Sequence, residues 1–544
     1  MTIRNSLILP ILIIALLFGS LPARSAKLVS VNAAGTAAGN SQSFNASLSA
    51  NGRFVAFQST ATDLVPGGTP RGEIFVRDLL TGTTVLASVN VPPYIGMPAH
   101  PRLSADGRYL SYQRPTCTFI ICPTADIFVR DLQVGVTTLV SVGLDGLPAG
   151  GGVPEISQDG RHVAFASASA NLVPNDSNGT VDIFVRDLDA GITRLVSVNA
   201  AGAGSGNGLS GPPSLSADGR FVAFQSDASD LVAGDTNGRG DVFVRDIQAG
   251  ITYLASINAT GTGSGNSGSG FVTLSADGSR VAFGSDASDL VATDTNGDFD
   301  VFVRDLPSGP TRLVSLNLAG TDSGNDSSFR GYLTYSGRFV AFQSFANDLV
   351  NNDPNISQQD VFLRDVDAGV TRLASVNTSG TSSFFSRSEL FLRSFEGVAG
   401  FEVASDDGRF VVFSSDAPGL VSGVSPACPF TPCEQIYRRD FQAGVTTLLS
   451  VDPTGSMTGN DTPESFGGLI SADGRVAIFE TSASNLTPLP DTNGFTDVFF
   501  DGEPLGPSIV EVPTLGSAGL ALLTLLTAGL GIRSLRRRSL EGGR

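Results

Sequence analysis

The chain has 544 residues, among them 64 Gly and 35 Phe but no Trp, with only 16% charged residues and a formal net charge of −18. This turn-rich, moderately apolar composition excludes a helical bundle and a disordered polymer. The acidic balance excludes nucleic acid as a partner, because phosphate binding needs a surplus of Lys and Arg, whereas it suits cations and keeps an exported protein soluble.

Residues 1–25 have the layout of a secretion signal. Arg4 supplies a short positive start, Leu7 to Phe18 is apolar, and Ala23-Arg24-Ser25 offers small residues for cleavage. Directly after it, Lys27-Leu28-Val29-Ser30-Val31-Asn32 reads as a strand. It matches a segment that recurs inside the chain, for example Arg194-Leu195-Val196-Ser197-Val198-Asn199.

From there to residue 501 the chain is a repeat. The fourth copy, Pro213 to Asn258, contains four candidate strands: one ending at Leu215-Ser216, then Arg220 to Ser226, Asp241 to Ile247 and Thr252 to Asn258. Each is β-branched or aromatic and bounded by Gly, Asp or Asn. The turn between the first two strands recurs at Asn51, Asp106, Asp159, Asp218, Asp277, Ser336, Asp407 and Asp473, each followed by Gly, which makes eight copies. The second strand, Phe221-Val222-Ala223-Phe224, is apolar on both faces, so its sheet must be covered on both sides. A ring of such sheets meets that need. The last copy has no fourth strand after Phe500, and the orphan strand at residues 27–32 supplies one. The expected fold is therefore all-β: an eight-bladed β-propeller of four-stranded antiparallel blades, spanning 26–501 and closed by its N-terminal strand.

The motif Ser-Ala-Asp-Gly-Arg-Phe-Val-Ala-Phe followed by Asp-Val-Phe-Val-Arg-Asp resembles the TolB-like propeller repeats, whose usual form is Ser-Pro-Asp-Gly, an Ile-Ala-Phe strand and an Ile-Tyr-Val strand. The resemblance covers almost the whole chain after residue 26. It implies a fold rather than an activity, since such propellers serve as protein-binding scaffolds, as gating domains beside peptidases and as envelope proteins.

Between the second and third strands a loop recurs as Asp176-Ser177-Asn178-Gly179, Asp235-Thr236-Asn237-Gly238, Asp294-Thr295-Asn296-Gly297 and Asp491-Thr492-Asn493-Gly494. An Asp opens the next strand each time, at Asp182, Asp241, Asp300 and Asp497. Oxygen-bearing side chains at positions one, three and seven suit a calcium ion. They equally suit a hairpin in which Asp and Asn bond the local backbone and Asn-Gly supplies positive φ. The cysteines occupy the same segment in two other copies, as Cys117/Cys122 and Cys428/Cys433, and read as two local disulfides with no histidine nearby to make a zinc site. The Arg-Asp pair ending the third strand, as in Arg77-Asp78 and Arg245-Asp246, recurs too often to mark a single active site and is expected to form salt bridges or turn hydrogen bonds.

Catalytic constellations are scarce. His100 and His162 are the only histidines, and no Gly-x-Ser-x-Gly sits on a strand-to-helix turn. His162 reads as a packed residue of a second strand, and His100 as part of a Pro-rich loop. No catalytic residue and no firm cofactor is expected. After a Pro/Gly-rich linker at 502–511, Val512-Pro513-Thr514-Leu515 leads into an apolar stretch, Gly516 to Ile532, and then Arg533-Ser534-Leu535-Arg536-Arg537-Arg538. This layout, spanning 512–538, resembles the IPTL-CTERM class of bacterial sorting signals, and its apolar part is long enough for one transmembrane helix with the arginines cytoplasmic. The expected protein is an exported, non-catalytic envelope scaffold that binds a protein, peptide or glycan and meets the membrane through this helix. An envelope hydrolase or lyase using Asp residues near the channel is the other reading.

Overall fold

A computed structural model describes residues 26–89, 96–118, 121–354, 358–382, 388–390, 403–427, 433–460 and 466–504. The expected signal peptide, the 505–511 part of the linker and the sorting tail lie outside them. The described residues form eight four-stranded antiparallel sheets. Blades 1 to 7 follow the chain, spanning 43–86, 99–139, 152–195, 214–254, 269–313, 328–373 and 388–448. In blade 8, Phe466–Ile470, Val476–Thr481 and Asp497–Gly502 are joined by Lys27–Leu28.

One aromatic pair organises each blade. The Phe of strand two lies opposite the Phe of strand three, as Phe224↔Phe243, and the two rings stack with centroids 5.9 Å apart. Equivalent stacks stand in all eight blades, with Tyr112–Phe128 in blade 2 and Phe413–Tyr437 in blade 7. The flanking Val and Ala side chains are buried on both faces, Val222 and Ala223 completely. They pack between neighbouring blades, so Phe224 and Val242 belong to different apolar clusters on opposite sides of one sheet.

Blades lock to one another at the turn between strands one and two. The Asp side chain there accepts from the Ser hydroxyl and the Arg amide, as in Ser216 Oγ–Asp218 (2.7 Å) and Arg220 N–Asp218 (3.0 Å). The following Gly has positive φ, and the first side chain of strand two in the preceding blade packs against it. A Cβ on Gly107 would stand 2.2 Å from Phe54, and one on Gly219 would stand 2.3 Å from His162. His162 thus fills the place of an aromatic ring.

The same turns close a circle of hydrogen bonds. Asn51 N donates to Ala105 O, Ala105 to Gln158, Gln158 to Ala217, Ala217 to Ala276, and Ala276 to Tyr335. In the divergent sixth turn the link passes through side chains, from Ser336 N to Asp406 Oδ1 and from Ser336 Oγ to Asp406 O. Asp406 N then donates to Ala472 O, and Ala472 N to Ala50 O at 3.1 Å, which returns to blade 1.

The closing strand obeys the register of the others. Lys27 and Leu28 pair with Phe500 and Phe499. Regular pairing is confined to these two residues of the expected 27–32 strand, because fourth strands elsewhere also stop there: Ile192–Leu195 ends at the residue matching Leu28. Val29 N still donates to Val498 O at 2.7 Å.

The repeated Arg-Asp pair is architectural. Asp246 accepts from Arg220 (2.6 Å) and from the turn amides of Gln248 and Ala249, while Arg245 donates to Thr252 of the fourth strand (2.8 Å).

Candidate functional site

The connections between strands two and three, and those between blades, share one face of the ring, opposite the locked turns. The sequence-singled Asp residues lie there. The Asp opening strand three is tied into its blade: Asp182, Asp241, Asp300 and Asp497 accept from Ser197, Ser256, Ser315 and Ser30 at 2.5–2.6 Å. Each of these serines also receives the next backbone amide, as in Ile183 N–Ser197 (3.0 Å) and Val498 N–Ser30 (3.1 Å). The closing strand therefore carries the same lock as the internal ones.

The loop Asp lies against it. Asp176, Asp235, Asp294 and Asp491 are buried, and so are their partners, which have no exposure at all. One or both carboxylate oxygens of Asp176, Asp235, Asp294 and Asp491, and one oxygen of Asp182, Asp241 and Asp300, have no hydrogen-bond donor. Burial, with each loop Asp adding repulsion, lifts Asp182 to about 6 and Asp241, Asp300 and Asp497 to about 7. Burial also raises Asp176, Asp235 and Asp491, and brings Asp294 to about 6.

The asparagines between them hold the loop. Asn178, Asn237, Asn296 and Asn493 donate to the carbonyls of Gly206, Gly265, Gly324 and Gly39 at 2.7–2.8 Å. Their own oxygens accept from the amide two residues on, at 2.7–2.9 Å. The hairpin reading therefore accounts for the Asn, of which Asn493 also donates to Asp497 (2.7 Å), and the donor-free oxygens of the loop Asp residues are left over. A fifth pair escaped sequence reading: Asp353 and Asp360 of blade 6, both buried, with Asp353 accepting from Ser382 (2.7 Å). The loop between them is one residue longer, which breaks the spacing.

A second region is the channel, lined by first strands. Arg102 Nε stands 3.6 Å from Glu155 Oε2, and both side chains are buried in the wall. Burial lifts Glu155 to about 7 against the pull of Arg102. Glu155 is the only carboxylate among the described residues lining this cavity. His100, expected in a loop, belongs to the strand Ala99–Leu103 and takes φ 53° at a bulge. A bulge tolerates the flanking prolines that suggested a loop.

The third region departs from the repeat altogether. Phe299 of blade 5 stacks on Phe329 of blade 6 (5.7 Å), Phe271 meets Phe299 edge-on (6.1 Å), and Phe329 meets Phe345 edge-on (5.8 Å). Phe271 is 44% exposed. The position of Phe299 is Val181, Gly240 and Thr496 in other blades, and that of Phe345 is Asp227, Asp286 and Asp416. Room for Phe299 comes from Gly284, where other blades have Gln58, Gln225 and Gln343; a Cβ there would lie 2.3 Å from the Phe299 ring. Averaging over copies hides such a cluster. Its signal in the sequence was Gly284 and Phe299 departing from the consensus together.

The side chains of Cys117, Cys122 and Cys428 lie outside the described residues; Cys433 Sγ accepts from Gln435 (3.2 Å). Among the described residues no helix is long and apolar enough to cross a membrane.

Residues 512–538 match the IPTL-CTERM motif, a C-terminal sorting signal. No curated protein matches the sequence. Similar solved structures include dipeptidyl peptidase 4 of Porphyromonas gingivalis (14% identity, 82% of this chain and 57% of that one, TM-score 0.49). The β-propeller domain of the Trilobed protease of Pyrococcus furiosus (11%, 75% and 97%, 0.40) and TolB of Acinetobacter baumannii (15%, 64% and 62%, 0.31) are also similar. This chain spans little more than half of the first, and the likeness concerns the fold.

Proposed function

We propose that this protein is an exported propeller of the cell envelope, that it acts as a non-catalytic binding scaffold, and that it binds through the phenylalanine patch of blades 5 and 6. The sorting motif at 512–538 supports the surface-associated placement. The patch carries the binding reading: four aromatic rings are interlocked across two blades and partly open to solvent, with Phe345 standing where other blades carry Asp. Grouped exposed aromatics are a feature of contact surfaces. Asp298 directly precedes Phe299 and Asp326 lies three residues before Phe329, and the chain carries a formal net charge of −18. The partner this chemistry favours is a polypeptide segment bearing Arg or Lys, which gains both cation–π contact and charge attraction.

A photo-cross-linking residue at position 271, in the full chain in its native envelope, tests this. Phe495, 46% exposed in blade 8, is the control position. Discrete polypeptide adducts from 271 and not from 495 are expected. No adduct, adducts common to both positions, or glycan adducts alone would overturn the assignment.

The hydrolase or lyase reading draws on one observation, the raised Glu155 in the channel wall. No Asp is among the described residues lining the channel cavity, and a two-carboxylate mechanism would need a partner where Glu155 has Arg102.

A further inference from the structure

The buried Asp pairs of blades 3, 4, 5 and 8 have no counter-charge among the described residues. None of the eight residues in blades 3, 4, 5 and 8 takes part in an ion pair with any described residue. Burying one carboxylate without compensation is costly, and burying two side by side is worse. Yet the pair is repeated in four loops, with donor-free oxygens on residues more than nine-tenths buried.

Blades 1 and 7 show what the position requires. In blade 1 the loop has no Asp at the position of Asp176, the strand opens with Glu73, and a protein cation arrives: Arg114 of blade 2 donates to both Glu73 oxygens at 3.2 Å. In blade 7 the strand opens with neutral Gln435, which takes the serine bond from Ser450 (2.8 Å), and no loop Asp accompanies it. In blade 1 the single carboxylate thus gets a guanidinium, and in blade 7 the uncharged residue needs none. Two carboxylates appear where no protein cation reaches.

We propose that each of the four Asp pairs holds a calcium ion between the loop Asp and the Asp that opens strand three. Calcium takes about six to eight oxygen ligands in irregular geometry. Two carboxylates supply the charge, and since no group of three acidic, His or Cys side chains occurs among the described residues, backbone carbonyls and water supply the rest. This favours calcium over magnesium, which demands a tight octahedron, and over zinc, which prefers nitrogen and sulfur. The asparagines fix the loop around the ion through their Gly carbonyls. A calcium ion in each loop bonds the strand 2–3 connection to the Asp that opens strand three.

The test is calorimetric titration of the full chain, purified in detergent and treated with chelator, with calcium chloride and then with magnesium chloride. Saturable calcium binding near four ions per chain is expected, with dissociation constants on the order of 0.1–1 mM. Melting temperature should rise with calcium and hardly move with magnesium. The double variant Asp235→Asn/Asp241→Asn should bind one ion fewer, and Asp294→Asn/Asp300→Asn serves as a second instance should the first fail to fold. No saturable heat and an unmoved melting temperature in the wild type would overturn the proposal, as would undiminished stoichiometry in either variant. A melting temperature that falls with rising pH and is not restored by calcium would show that the pairs share a proton instead.

Discussion

Glu480 stands in the second strand of blade 8 at the position where other blades carry Gln58, Gln113, Gln225 and Gln343. Its Oε1 accepts from Ala46 N of blade 1 at 2.7 Å, as Gln113 Oε1 accepts from Val153 N at 2.9 Å. Burial raises the Glu480 carboxyl from 4.5 to about 7. A raised acid stabilises the fold fully below its unfolded value and loses that contribution as pH climbs through the folded one. The window is therefore pH 4.5 to 7, in the direction of falling stability. Glu480→Gln keeps the acceptor and removes the charge. It should melt higher than the wild type at pH 8 and at nearly the same temperature at pH 5, measured by scanning fluorimetry; parallel profiles would mean that Glu480 does not titrate in this range. Glu480 was invisible to sequence reading because its meaning comes from the inter-blade bond, not from its neighbours in the chain. The Asp pairs at 176/182, 235/241, 294/300 and 491/497 were legible because both members lie in one loop at fixed spacing.

At the scale of elements, the Gly of the first turn has two duties that can be separated. Gly107 has φ 75°, and a Cβ would strike Phe54 of the preceding blade; Gly146 has φ 78° with nothing within 4 Å. Alanine at either position meets the left-handed backbone penalty of about 1–2 kcal/mol. Only Gly107→Ala adds the clash with the packed ring, about 1–3 kcal/mol more. The difference between the two urea midpoints therefore measures the inter-blade lock, and equal midpoints would mean that Phe54 moves aside freely. The recurrent Asp-Gly turn announced the hairpin in the sequence. That its Gly is also a socket for the neighbouring blade was not legible, because the contact joins residues some 50 positions apart. The patch at Phe271 and Phe299 was obscured for a related reason: Phe is common throughout the chain, and only three-dimensional placement separates these rings from the stacked core pairs.

For the whole molecule, the decisive bond joins residues 467 apart, Ser30 Oγ to Asp497 at 2.6 Å. Its internal counterpart, Ser197 to Asp182, spans 15 residues. For a flexible chain the longer closure costs about 3 kcal/mol more in entropy, since the cost grows only with the logarithm of length. Burial of Leu28 and Val29 against blade 8 offsets a sum of that size, at about 1.5–3 kcal/mol for each fully buried side chain. The ring should therefore be held at its seam by a narrow margin, and the seam should be the first place to open. Val29→Asp and Val196→Asp place the same buried charge at equivalent fourth-strand positions, both fully buried. In Val196→Asp the damaged strand remains tethered to its blade by a short turn. In Val29→Asp nothing local holds it. Hydrogen exchange followed by mass spectrometry should show fast exchange confined to residues 27–31 and 497–502 in Val29→Asp, while blade 3 stays protected in Val196→Asp. Uniform loss of protection across all blades would show instead that the ring opens only as one cooperative unit. The matching of the two chain ends was legible in the sequence because the orphan strand and the incomplete last copy share one pattern. How firmly they hold was not, because that depends on a loop entropy and a burial that nearly cancel.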